Sequence, residues 1–431
     1  MNAQKANDTK GKVRELQRKL YIAAKSNGRR KFHALYDKVY DMPTLAEAWK
    51  RVKANGGSSG IDGMSIQDTE GYGVEKILHE IQNMLIDGNY HPQPVKRVNI
   101  PKPDGKKRPL GIPTIKDRIV QMATKIIIEP LFEAHFKDTS WGFRPKRSAH
   151  QALEQVREAC DNNGWWVVDA DIRGFFDNIN HEKLMKLVEV RINDRRVLKL
   201  IRKWLEAGVT ENGEYRESSI GSPQGGVISP LLANIYLNYF DTLWERDGKQ
   251  LGKLVRYADD LVIICRTRKS AEHALKLVKE ILERLELELH PEKTKLVHMW
   301  GGKEGFDFLG MHHRFMQVDN RRKIKLLKVH QYPGKKAMRK MRETIKTILS
   351  KRKLLKESVA EIVDRLNPKL RGWKNYYGLR LAVKWLAKID WYVQETLTRW
   401  WNKKRQNANR RKDLGNMRVI SGKYGLVTLT T

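Results

Sequence analysis

Apolar positions recur along this chain with several different periods, and each period predicts a different element. Residues 271–285 place Ala274, Leu275, Val278, Ile281, Leu282 and Leu285 three or four apart, which predicts a helix with one buried face. Leu261-Val262-Ile263-Ile264-Cys265 is a short unbroken apolar run, and with Leu254-Val255 before it predicts two paired strands. Residues 165–172 read as another buried strand, and 95–100 alternate like a strand with one wet face. Helical patterns cover about 115–136 and 181–206. Residues 1–55 read as helical and basic, with amphipathic stretches near 13–24 and 45–52. Gly56-Gly57-Ser58-Ser59-Gly60 then reads as a flexible joint, and Pro103-Asp104-Gly105 as a turn before Lys106-Lys107-Arg108. Strands and helices alternate through the middle, as in an α/β or α+β catalytic domain. Past about 316 the chain turns helical, basic and Trp-rich, without strand signals until the tail, so a domain boundary is expected there.

Charge narrows the partners. The 431 residues hold 84 Lys plus Arg against 50 Asp plus Glu, a net charge of +34, which points to a polyanion and most simply to nucleic acid. No apolar run approaches a membrane span, and the first residues lack the apolar run of a secretory signal. Asp8 and Glu15 argue against an organelle transit peptide. Cys160 and Cys265, far apart, exclude a disulfide framework and a cysteine zinc site. His312-His313 reads as a surface pair rather than a metal site. A protein of the cytoplasm, bound to no membrane, is expected.

The chemistry gathers around Tyr257-Ala258-Asp259-Asp260, where the two strands meet. Adjacent carboxylates repel, and one pKa rises unless a cation neutralises them. Magnesium, held by one or two carboxylates plus substrate phosphates, meets that need and suits phosphoryl transfer. A solvated turn is the plainer alternative for an isolated Asp-Asp. A two-metal site also needs a carboxylate from another strand. Asp169 and Asp171 share one face at the end of the strand 165–172, and periodicity does not choose between them. Asp177 fits equally well as a cap.

Three blocks, in order and spacing, closely resemble group II intron reverse transcriptase/maturases. They are Asp169-Ala170-Asp171-Ile172-Arg173-Gly174-Phe175-Phe176-Asp177, then Gly221-Ser222-Pro223-Gln224-Gly225-Gly226, then Tyr257-Ala258-Asp259-Asp260. The likeness extends to Ile100-Pro101-Lys102-Pro103, Arg108-Pro109-Leu110-Gly111, Trp141-Gly142-Phe143-Arg144-Pro145 and Phe308-Leu309-Gly310. It also takes in Leu366-Asn367-Pro368 through Tyr376-Tyr377, which looks like that family's thumb or maturase domain X. Coverage runs from about 45 to 400. The resemblance implies an α+β right-hand polymerase with fingers, palm and a helical thumb. It divides the chain into a basic extension (1–60), fingers (61–140), palm (141–315), thumb (316–400) and basic tail (401–431). Its activity is RNA-directed DNA synthesis from a primer 3′-OH, joined to binding of intron RNA for splicing and mobility. An alternative is an RNA-binding splicing cofactor in which the maturase role dominates, or a relative recruited to host defence or DNA repair.

The family register selects Asp171, five residues before the aromatic Phe176. By resemblance Asp171, Asp259 and Asp260 are catalytic, and Asp171, the Ile172 carbonyl and Asp259 hold two Mg²⁺ ions. Phe176 would crowd a ribose 2′-OH, and Gln224 would reach the nucleotide's sugar or base. Lys102 and Arg108 would hold the dNTP triphosphate, with charge-assisted bonds. Lys293 or Lys295 would assist pyrophosphate departure. Residues 335–349 predict a helix with Met338, Met341, Ile345, Ile348 and Leu349 on one side and Lys335, Lys336, Arg339 and Lys340 on the other. A basic face of that kind suits tracking of a duplex backbone. Arg371, Trp373 and Lys374 join it as candidate nucleic-acid contacts, with most of the other aromatics expected in the bundle core. The expected partners are intron RNA, an RNA template with a DNA primer, and a DNA target; a dimer is conceivable. Residues 403–412 read as a basic arm, disordered when unbound. The zinc-supported endonuclease that some relatives add after domain X is not expected here, so a primer would come from a replication fork or another enzyme's nick.

Overall fold

The computed structural model describes residues 2–101, 105, 107–211, 213–216, 220–221, 225–319, 325–406 and 413–430. Helices and strands are mixed, and the chain forms two compact units. One comprises Met1–Ser148, Ala170–Leu261 and His273–Thr294, the other Ala149–Asp169, Val262–Glu272 and Lys295–Thr431.

The first unit is organised by the helix Ile115–Glu133, in which Ile115, Ile119, Val120, Ala123, Ile126, Ile127, Ile128 and Leu131 are all buried. Burial all round is what so apolar a helix requires. Thr114 caps it by accepting from the Asp117 amide, and the Asp117 carboxylate accepts from the Thr114 and Tyr90 hydroxyls at 2.7 Å each. The helices Asn2–Ser26 and Met42–Asn55 pack on it, and Gln17 Nε2 donates to the Ile126 carbonyl at 2.9 Å. The stretch expected to be a flexible joint is tied down as well. Arg118 donates to the Pro113 carbonyl at 2.9 Å and to that of Ser58. A Cβ at Gly60 would lie 2.7 Å from Thr114 Cα, so the backbones meet where only glycine fits. Strands Lys107–Ile112, Val95–Pro101, Val209–Glu211 and Glu214–Arg216 form a sheet in that order, with Ile100 opposite Arg108.

In the second unit, Trp166–Asp169 pair antiparallel with Lys295–His298. A separate antiparallel sheet joins Gly305–Phe308, Met311–Asp319 and Lys325–Pro333. This corrects the expectation of a strand-free region past 316. Cations scattered through 321–328 hide the period, but Val329 is buried and Gln331 donates to the Leu153 carbonyl at 2.7 Å. His313 is corrected too: it is fully buried and stacks on Phe306 with ring centroids 4.7 Å apart, and burial pushes its pKa down to about 3. Strand alternation turns it inward while His312 faces out to Asp307.

A helical bundle follows: Lys335–Leu349, Val359–Tyr377, Val383–Lys404 and Asp413–Lys423. Met338, Met341, Ile345, Leu349, Ile362, Leu366, Leu370, Ile389, Val393 and Trp400 form its core. Ser358 and Glu361 cap the second helix reciprocally. Of the basic arm expected at 403–412, only 403–406 are described, and they close the bundle. Lys403 and Lys404 end the third helix, Met417 and Leu429 are buried, and Asp390 accepts from the Leu429 amide at 2.9 Å. Residues 407–412 lie outside the described residues. No helix among the described residues is long and apolar enough to cross a membrane.

Candidate active site

The apolar strand Trp166–Asp171 delivers Asp171 at its end, where Gly174 adopts a left-handed conformation and starts the short turn Phe175–Asn178. Backbone bonds lay residues 288–290 alongside: Arg173 N donates to the Glu288 carbonyl at 2.8 Å, and His290 N to that of Asp171 at 2.7 Å. That placement carries Lys293 to the Asp171 carboxylate, to which its ammonium donates. Lys295 instead begins the strand Lys295–His298 and sits opposite Asp169. The structure thus separates two pairs that spacing left open: Asp171 from Asp169, and Lys293 from Lys295.

Asp259 and Asp260 follow the strand Lys253–Tyr257 through a turn in which Ala258 has φ 57°. That left-handed conformation is unfavourable for alanine and must be held by its surroundings. Arg256 holds it. Its guanidinium donates to the Ala258 carbonyl at 2.8 Å, the Ser140 hydroxyl at 2.8 Å and both oxygens of Asp241, reaching Oδ1 at 2.9 Å. Arg256 and Asp241 are both buried. Asn234 accepts from Arg256 at 3.3 Å and donates to the Gly142 carbonyl at 2.8 Å. Gly142 lies so close that a Cβ there would sit 2.5 Å from the Ala258 nitrogen. Sequence reasoning missed this truss; its one signal was an arginine inside the apolar strand Leu254-Val255-Arg256-Tyr257.

The electrostatics are those of crowded carboxylates. Burial, then the nearby Asp171 charge, holds the Asp259 pKa above the ordinary carboxylate value, opposed by a backbone hydrogen bond and by Arg108 and Arg256. Asp260 reaches solvent along one edge, yet the protein behind its carboxylate, then the Asp259 and Asp171 charges, push it up to about 6. Lys293 and Arg108 only partly offset that repulsion. Such a site gains from an added cation. Among the described residues no three His, Cys, Asp or Glu side chains converge into a ready cage. Magnesium does not need one, because it is bound through one or two carboxylates, with water and phosphate completing its shell. The donors present therefore fit magnesium arriving with a phosphorylated substrate.

Around the carboxylates, Phe176 is nearly buried against Phe175, with ring centroids 5.2 Å apart. Gly221 has φ 93°, and a Cβ there would come within 3.0 Å of the Phe176 and Asp177 carbonyls. Farther along the chain, a Cβ on Gly225 would lie 2.4 Å from the Gly111 carbonyl. Gly221 thus sits beside Phe176, and Gly225 beside the strand that carries Arg108. Lys102 and Gln224 lie outside the described residues. The Ile172 side chain is buried, and the residue bridges Leu289.

In the second unit Lys335, Lys336, Arg339 and Lys340 are all exposed on one helix, opposite the buried Met338, Met341 and Ile345. Arg371 is exposed, while Trp373 packs against Tyr377 at 4.7 Å. Lys374 donates to the Thr428 carbonyl at 2.9 Å and so fastens the C-terminal segment.

Comparison with known proteins adds to this geometry. Residues 100–313 match the family model described as reverse transcriptase (RNA-dependent DNA polymerase), and 338–417 match the group II intron maturase-specific domain. The chain is 37% identical over 348 residues to Protein YkfC of Escherichia coli, spanning 72% of this chain and 90% of that protein. It is 32% identical over 416 residues to the group II intron-encoded protein LtrA of Lactococcus lactis, spanning 77% and 68% respectively. It is 28% identical over 246 residues to nuclear intron maturase 4 of Arabidopsis thaliana, spanning 54% and 29%.

Proposed function

Because the chain belongs to the group II intron-encoded reverse transcriptase/maturase family, we propose that Asp171, Asp259 and Asp260 form the centre at which it copies RNA into DNA. The protein is an RNA-directed DNA polymerase with a maturase domain, and its work is intron mobility and the assistance of splicing. The observation that carries the site assignment is the meeting of Asp171, with Lys293 on it, and the Arg256-held turn that bears Asp259 and Asp260.

Asp171, Asp259 and the Ile172 carbonyl would hold two magnesium ions. When bound, these supply a lowered pKa for the primer 3′-OH and charge compensation at the transferred phosphorus. Asp260 adds negative potential beside them. Arg108, whose charge acts on both Asp259 and Asp260, would turn to the incoming triphosphate, with Lys102 beside it. Gln224 would face the nucleotide's sugar or base. Lys293 would leave Asp171 for the departing pyrophosphate and supply its proton. Lys293→Ala should therefore lower single-turnover extension by about a hundred-fold, with Lys295→Ala close to wild type. Equal effects of the two in quench-flow would remove the assignment.

Phe176 would exclude the ribose 2′-OH. Phe176→Val should raise ribonucleotide incorporation relative to deoxynucleotide by about a hundred-fold. An unchanged ratio in a competition assay would return Phe176 to the role of a core aromatic.

The bundle Lys335–Lys404 would serve as the thumb, with Lys335, Lys336, Arg339 and Lys340 along a duplex backbone and Arg371 beside them. Residues 61–140, 141–315 and 316–400 would be fingers, palm and thumb, after an extension (1–60) and before a tail (401–431). The maturase-specific domain implies intron RNA as a partner. A DNA-primed RNA template, a DNA target and a ribonucleoprotein in the bacterial cytoplasm complete the reading.

A further inference from the structure

The tryptophans of the helical bundle serve its packing, with one departure. Trp385 stacks on Tyr332 with ring centroids 3.7 Å apart, Trp373 packs on Tyr377, and the buried Trp400 donates to the Leu354 carbonyl at 3.3 Å. Trp401 packs against the same core. Trp391 is different. The residue is 58% exposed, and it lies inside the helix Val383–Lys404. The turns of that helix cover its main chain, so the exposure falls mostly on the indole. A ring of this size is ordinarily buried, and the fold instead leaves it in water.

Its surroundings point to a ligand. Trp391 borders two open grooves, one of about 550 Å³ with Arg342, Lys388 and Glu395, the other of about 560 Å³ with Asp390 and Arg418. The carboxylates of both are already answered. Glu395 is paired with Arg399, and Asp390 accepts from the Leu429 and Thr430 amides at 2.9 and 3.2 Å. Arg342, over the Tyr392 ring at 5.9 Å, pairs with no carboxylate among the described residues, and neither do Lys388 and Arg418. A flat apolar plate among three such cations matches a polyanion that carries flat bases. A base inside a duplex has both faces covered by its neighbours, so the base that fits here is unpaired. RNA offers such bases in its loops and bulges.

We propose that Trp391 is the stacking platform for an unpaired base of the intron RNA, the partner read above and on which this step rests, with Arg342, Lys388 and Arg418 toward its phosphates. The test uses the full chain saturated with unlabelled primer–template duplex, and a short RNA hairpin carrying 2-aminopurine in its loop. Trp391→Ala should bind the hairpin about ten-fold more weakly in anisotropy and lose the fluorescence change that wild type produces. Trp391→Phe should keep most of both. All three proteins should extend a primed RNA template at similar rates. Trp391→Ala should melt no lower than wild type, since alanine is the better helix former at an exposed position. Wild-type affinity and fluorescence in Trp391→Ala overturn the proposal. A loss that comes with a lower melting temperature or slower extension overturns it too, making Trp391 a packing residue or a primer–template contact. Failure of wild type to bind either this hairpin or the unspliced intron RNA would defeat the RNA partner itself. RNA binding by wild type, with Trp391→Ala its equal, would defeat only the platform.

Discussion

Asp259→Asn should lower primer extension on an RNA template by about a thousand-fold or more, with no loss of RNA affinity and no fall in melting temperature. The substitution keeps the size of the side chain and removes its charge and one of the oxygens proposed to hold magnesium. Asp259 is held above its ordinary pKa by burial and by Asp171, so its ionised form is disfavoured in the folded state. For such an acid, the stability contribution is lost as pH rises through the folded pKa, and a neutral amide avoids that loss. Stability and catalysis therefore move in opposite directions. A damaged fold would lower both, which a thermal melt beside a single-turnover assay distinguishes.

Asp241→Ala should be the most destabilising single change near the site, by about 3–5 kcal/mol, because it leaves the buried Arg256 guanidinium without its carboxylate. Replacing both partners with apolar residues, as in Asp241→Leu with Arg256→Met, should recover much of that stability, since a buried ion pair is seldom worth more than good packing. Extension should not recover. The Ala258 carbonyl would still lack its donor at 2.8 Å, and the left-handed turn before Asp259 would relax. A double variant that melts like wild type but extends poorly would identify the pair as a positioning device. One that regains full activity would reduce it to core packing.

Much of this was legible in the sequence, because the relevant signals are local. The face Ala274, Val278, Ile281 and Leu282 is buried as its spacing required, and strands 95–101 and 166–171 fall where alternation and apolar runs placed them. The carboxylates were visible as types, yet periodicity left Asp169 and Asp171 on one face of one strand. Tertiary pairing divides them: Asp169 is registered with Lys295, while Asp171 receives Lys293. The Arg256–Asp241 pair is 15 residues apart and the Arg256–Ser140 bond 116, distances over which no periodicity speaks. The strand Lys325–Pro333 was hidden by its cations, and Lys403 and Lys404 read as the start of a basic arm because charge there masks the end of a helix. Composition reports what a segment could solvate. It does not report that Asp390 waits 39 residues earlier to accept the Leu429 amide.

The account stands most directly on one paired assay. Wild type and Asp259→Asn are given a primed RNA template with Mg²⁺ and dNTPs, and the same preparations are given the unspliced intron RNA. The expected result is cDNA from wild type alone, with splicing assisted by both. Extension by Asp259→Asn at the wild-type rate would contradict the assignment of the catalytic centre. A wild type that assists splicing but makes no cDNA would leave RNA binding, rather than polymerisation, as the work of this chain.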